Sequence, residues 1–239
     1  MSAVVFFFGV WPYVALAVFV VGHVWRYRRD QPGWTSRTSQ VLEGRWLAWG
    51  SPLFHYGALV VILGHAVGLL VPEGFTKAFG VSEGLYHATA LAAGLTSGTV
   101  MLVGLALLLV RRHRFGPRLR FVTTWVDWVV YVLLAVIAVL GACATVGQNL
   151  LAGGYNYRET VSPWLRSLFI FHPDVDRMAG VPLLFQVHVA VAFCLIAIWP
   201  FTRLVHVWSV PLGYLARPYV VYRAAGTGTR PAVTRAPWV

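Results

Sequence analysis

Four histidines lie inside apolar stretches of this chain. His55 and His65 fall within SPLFHYGALVVILGHAVGLLVP (51–72), His188 within GVPLLFQVHVAVAF and His206 within RLVHVWSVP. A neutral imidazole gains nothing from hydrocarbon, so each ring needs a partner: a polar side chain, a relayed proton or a metal. Zinc would need further polar or carboxylate ligands. The apolar stretches offer only Asp127, expected to pair with a cytoplasmic arginine, and Gln186 beside His188. Cys143 and Cys194 form neither a CxxC pair nor a CxxCH haem-attachment site, and are expected to be buried thiols. The three methionines, Met1, Met101 and Met178, suggest no thioether ligand at matching depth. Iron porphyrin held between two imidazoles suits what remains.

The elements that must carry these histidines are long. Apolar runs cover 3–25, 49–71, 84–110, 121–151 and 181–208, each of the length that a bilayer-spanning helix needs. With 58% hydrophobic and only 11% charged residues, a soluble domain is excluded. The runs are too long and too uniform for a β-barrel. The expectation is an all-α integral membrane protein of five transmembrane helices: a membrane domain at 1–215 and a C-terminal tail at 216–239, rich in small residues and Pro. The first run has no Lys or Arg before it, so it reads as a retained span rather than a signal peptide.

The net charge of +11 could suggest nucleic acid, but the charges sort by loop. Fifteen of the nineteen Lys and Arg follow spans 1, 3 and 5; the other four follow spans 2 and 4. The positive-inside rule then puts the N-terminus outside and the C-terminus in the cytoplasm, with membrane lipid and no nucleic acid as partner. The expected location is the cell (inner, cytoplasmic) membrane.

Orientation turns the four histidines into two pairs. Span 2 runs outward and span 5 inward, so His55 and His206 share the inner depth, and His65 and His188 the outer one. Two bis-histidine haems between helices 2 and 5 need this arrangement. Ten residues of helix rise about 15 Å and eighteen about 27 Å, so tilt or bending must absorb a mismatch. Pro200, between His188 and His206, predicts a kink. Gly64, with Gly57 and Gly68, and the Gly94, Gly98 and Gly104 series serve either close helix packing or room for a flat macrocycle. Interhelical hydrogen bonds and a proton relay remain the other uses for such histidines. His23, His113 and His172 read as interfacial or loop residues.

The segments PFTRLVHVWSVPLGYLARPYVVYR (200–223), FHYGALVVILGHAVGLLVP, FFFGVWPYVALAVFVVGHVWRYR, TSQVLEGR and GVPLLFQVHVAVAF resemble the gamma subunit of membrane-bound respiratory nitrate reductase, a di-haem cytochrome b, over nearly the whole chain. The resemblance implies two haem b groups: the inner iron on His55 and His206, the outer iron on His65 and His188. It implies oxidation of a quinol, menaquinol or ubiquinol, at the outer side. The electrons go to an iron–sulfur beta subunit and a molybdenum-containing alpha subunit in the cytoplasm, where nitrate is reduced. Some members carry a quinone-binding lysine near the outer start of helix 3. Here VSEGLYHATA offers Tyr86 and His87 instead, with His65 as their neighbour. Arg112 and Arg203 are candidates to pair with haem propionates. Competing readings are a cytochrome b subunit of a formate dehydrogenase or hydrogenase, a histidine-relay proton transporter, and a haem-free membrane anchor.

Overall fold

A computed structural model describes residues 2–36, 39–151 and 153–209, and among these there are no strands. Five helices are long and apolar enough to cross a membrane. They are α1 (Ala3–Arg29), α2 (Arg45–Leu70), α3 (Glu83–Arg114), α4 (Trp125–Asn149) and, after the short α5 (Val161–Phe169), the span Leu183–Phe201, whose α-helical part is α6 (Leu183–Ile198). The tail expected at 216–239 lies outside the described residues, as do Arg217, Arg223, Arg230 and Arg235.

Local chemistry sets the helix ends. Ser82 Oγ accepts the Leu85 N–H at 3.2 Å, and Glu83 follows in the first turn of α3. Arg111, Arg112 and Arg114 close that helix, where cations suit the carbonyl end. Thr124 and Asp127 form a capping box on α4, which therefore starts at Trp125 rather than at 121; residues Arg120–Val122 are a separate 3-10 turn. The last turns of α4 widen into a π-helix, Ala144–Leu151.

Packing is pairwise. α2 lies along α3; α6 packs on α1 and α4; α3 also meets α4. Two glycines bring α2 and α3 backbone to backbone. A Cβ on Gly57 would stand 2.6 Å from Met101 N, and one on Gly104 2.2 Å from Phe54 N. α5, in the connection between α4 and α6, turns Val161, Trp164 and Leu168 into a core with Phe8, Met178 and Phe193. Its Ser162 Oγ and Arg166 Nη1 donate to the carbonyls of Gly68 and Leu69 at 3.0 Å each, satisfying the C-terminal end of α2. Large apolar side chains such as Val21, Leu59, Ile62, Leu63, Val132 and Val139 face outward, as lipid contact requires.

α6 is not the continuous helix that the 181–208 run suggests. The α-helical part stops at Ile198, and a 3-10 turn spans Trp199–Phe201. Thr202 is extended (φ −116°, ψ 176°), and a second 3-10 segment, Arg203–Ser209, carries His206. Pro200 removes one donor and crowds the preceding turn, and here the outcome is a full break rather than a kink.

Candidate functional site

The structure brings His65 beside His188 and His55 beside His206. Both pairs have ring centroids 6.1 Å apart, with the planes at 20° for His65–His188 and 73° for His55–His206. α2 supplies one histidine to each pair, α6 supplies His188, and the 3-10 segment beyond the break supplies His206. α2 does not pack along α6; the rings reach across the space between them.

The hydrogen bonds fix the tautomers. His55 Nδ1–H donates to Ser51 O at 2.7 Å, His65 Nδ1–H to Val61 O at 2.8 Å and His206 Nδ1–H to Arg203 O at 2.6 Å. In each ring the proton therefore sits on Nδ1 and the Nε2 lone pair is free to ligate. His188 Nδ1 is buried and without a hydrogen-bond partner, its ring edge 3.2 Å from where a Gly141 Cβ would be.

These positions would suit a metal held between the two imidazoles of each pair. With metal–imidazole nitrogen distances of about 2.0–2.1 Å and each nitrogen about 1 Å from its own ring centroid, one metal between two rings puts the centroids roughly 6 Å apart. Among the described residues no three His, Cys, Asp or Glu converge, so a site made of protein ligands alone has two donors at most. A porphyrin would supply the other four. The glycines now separate by role. Gly57 and Gly104 are packing positions, whereas a Cβ on Gly64, Gly94 or Gly98 would meet no heavy atom within 4 Å.

Charge gathers at the His206 end. Arg203 Nε donates to Asp127 Oδ1 at 2.8 Å, and its Nη2 lies 2.7 Å from Oδ2. Arg112 donates to Thr123 Oγ1 and, at 2.8 Å, to the Tyr131 hydroxyl. Tyr131 also lies under both guanidinium groups, 5.4 and 5.9 Å from its ring centre. Sequence offered Arg112 and Arg203 but gave no sign of Tyr131. Arg111 anchors the α1–α2 connection. It donates to Glu43 Oε2 at 2.5 Å, to Ser39 Oγ at 2.9 Å and to the Ser39 and Glu43 carbonyls. Burial alone would raise the Glu43 carboxyl, but the Trp46 backbone N–H and the Arg111 guanidinium outweigh it and hold the group below its ordinary range.

At the other end of α2, Tyr86 and His87 differ. His87 is exposed. Tyr86 is half-buried, its hydroxyl 3.4 Å from that of Tyr157 and its ring 3.8 Å from the Arg158 guanidinium. Arg158, 4% exposed, also donates to Glu83 at 3.2 Å and Thr76 at 2.9 Å. The Tyr157 hydroxyl abuts α2 at Gly68, three residues past His65, and its pKa is pushed up by burial and then by Tyr86. Sequence reading missed Tyr157 and Arg158, which sit in a loop with no motif.

Residues 4–225 match the protein family described as nitrate reductase gamma subunit. The chain is 49% identical over 220 residues to the nitrate reductase-like protein NarX of Mycobacterium tuberculosis. That match covers 91% of this chain but 33% of that protein, so the chain spans about a third of its length. It is 44% identical over 215 residues to the nitrate reductase gamma chain of Bacillus subtilis, covering 90% of this chain and 96% of that one. It is 35% identical to the respiratory nitrate reductase 1 gamma chain of Escherichia coli, with 92% and 96% covered.

Proposed function

Because the chain belongs to the nitrate reductase gamma subunit family and is a multi-pass membrane protein, we propose that it is the di-haem cytochrome b subunit that oxidises quinol for a respiratory nitrate reductase. One observation carries this reading: two histidine pairs, each with 6.1 Å between ring centroids, whose Nδ1 protons are committed to backbone carbonyls in three of the four rings. Haem b on each pair would supply a one-electron carrier at each of two depths.

The chain's own residues do the rest. The Nδ1–H bonds hold three rings and leave each Nε2 lone pair free, and Gly141 leaves room for the fourth ring. Gly64, Gly94 and Gly98 keep side-chain bulk out of the space beside them. Arg112 and Arg203 concentrate positive charge near His206, where propionates would sit. His87, exposed at the start of α3, can accept a quinol hydroxyl proton, and the Tyr86 hydroxyl can hydrogen-bond a quinol oxygen. The basic ends of α1 and α3, with the arginines that follow α6 in the sequence, support a cytoplasmic orientation of this face, against the iron–sulfur beta and molybdenum alpha subunits, with the N-terminus outside.

The test is a pyridine haemochrome assay on the purified chain, joined to menaquinol and ubiquinol reduction spectra. Two haems per chain, reduced by one of the quinols, are expected. A colourless protein would overturn the reading in favour of a haem-free membrane protein.

A further inference from the structure

The break after Ile198 leaves carbonyl groups without intrahelical donors, close to the residue proposed as a ligand. One guanidinium reaches across the break. Arg26 Nη1 donates to Pro200 O at 2.6 Å and to Thr202 O at 2.9 Å, and Nη2 donates to Gly33 O at 2.5 Å. Arg26 is 4% exposed, with Asp30 3.4 Å from its Nε. α1 reaches the break because residue 22 is glycine: a Cβ there would stand 2.8 Å from Pro200 Cβ and Cγ. A second clasp lies beyond His206. Trp208 Nε1–H donates to His23 Nε2 at 3.0 Å, and His23 is held in that tautomer by Nδ1–H to Phe19 O at 2.7 Å.

We propose that Arg26, assisted by His23, is a positioning residue for His206: α1 splints the broken end of α6 on both sides of that imidazole and fixes the 73° angle between the His206 and His55 planes. The assignment rests on the reading of His206 as an iron ligand. A 3-10 segment entered through an extended residue has no helical register to inherit from α6. Its orientation must come from outside contacts: Asp127 of α4 holds Arg203 at its start, and α1 grips the joint before it and Trp208 beyond His206. Arginine suits the task because its planar fork can serve several carbonyls at once while Asp30 balances the charge. The two pairs also report separately, since near-perpendicular axial imidazoles give a more anisotropic low-spin haem signal than near-parallel ones.

The experiment compares Arg26→Met, Trp208→Phe and His206→Ala in the full chain in membranes, by electron paramagnetic resonance and haem stoichiometry. His206→Ala must abolish the more anisotropic signal; if both signals survive, the ligand reading fails and the splint with it. If that control holds, Arg26→Met shifts or abolishes the same signal and leaves that of His65–His188 unchanged. Trp208→Phe, which keeps the ring and removes only the N–H, shifts it less. An unaltered signal in both variants overturns the splint alone. Should Arg26→Met fail to accumulate, Trp208→Phe decides: a shift supports the splint and no shift overturns it.

Discussion

Replacing Gly104 with Ala should loosen the helix that carries two of the four histidines. The new Cβ would stand 2.2 Å from Phe54 N, 2.7 Å from its Cα and 2.8 Å from the Leu53 carbonyl carbon. All three atoms are backbone, so no rotamer change relieves the clash. Restoring ordinary contact moves α2 back by about 1 Å, and overpacking of this kind costs about 1–3 kcal/mol. The gain from replacing a helical glycine is at most about 1 kcal/mol, which still leaves a net loss of roughly 0–2 kcal/mol. Gly84 is the control, on the same helix and with the same substitution, because its Cβ would meet nothing within 4 Å. Thermal unfolding of the detergent-solubilised protein should show Gly104→Ala melting several degrees lower and Gly84→Ala melting no lower than the parent. Since Phe54 precedes His55, the Soret band of the inner haem should broaden in Gly104→Ala as well. Equal melting temperatures for the two variants would refute the argument from backbone contact.

Three other outcomes can be checked. His65→Ala and His188→Ala should each remove the same haem, and His55→Ala and His206→Ala the other; a double substitution within a pair should lose no more haem than either single one. Asp127→Ala should cost about 3–5 kcal/mol in unfolding experiments, because it leaves the Arg203 guanidinium mostly buried and unpaired and removes the α4 cap; Asp127→Asn should cost less. Glu43 has a folded pKa below its ordinary 4.5, so the stability it gives the α1–α2 connection is present above that pH and is lost as pH falls through the depressed value. Hydrogen exchange of residues 39–43 should accelerate on acidification below about 4.5, and Glu43→Gln should flatten that dependence.

The five spans were legible because bilayer crossing demands long apolar runs, and the pairs of neighbouring rings because antiparallel helices set depth. Helix ends were less so. Run length cannot show that Arg26, Arg28 and Arg29 continue α1, nor that Thr124 and Asp127 delay the start of α4. Pro200 announced a disturbance, but whether proline kinks or ends a helix depends on what receives the freed carbonyls. Here that is Arg26, which in sequence looks like any other arginine of a basic loop. The short helix α5 and the Arg158–Tyr86–Tyr157 cluster were hidden for a similar reason: several of their hydrogen-bond partners lie more than seventy residues away along the chain.

The extended residue Thr202 isolates rotational phase. In an unbroken helix, inserting one residue turns everything beyond it by about 100°, so any change of length between His55 and His65 would swing one ring away from its mate. No such twist passes through an extended joint. Insertions or deletions within 199–202 should therefore leave His188 in place and displace only His206, whose anchors at Pro200 and Thr202 would move.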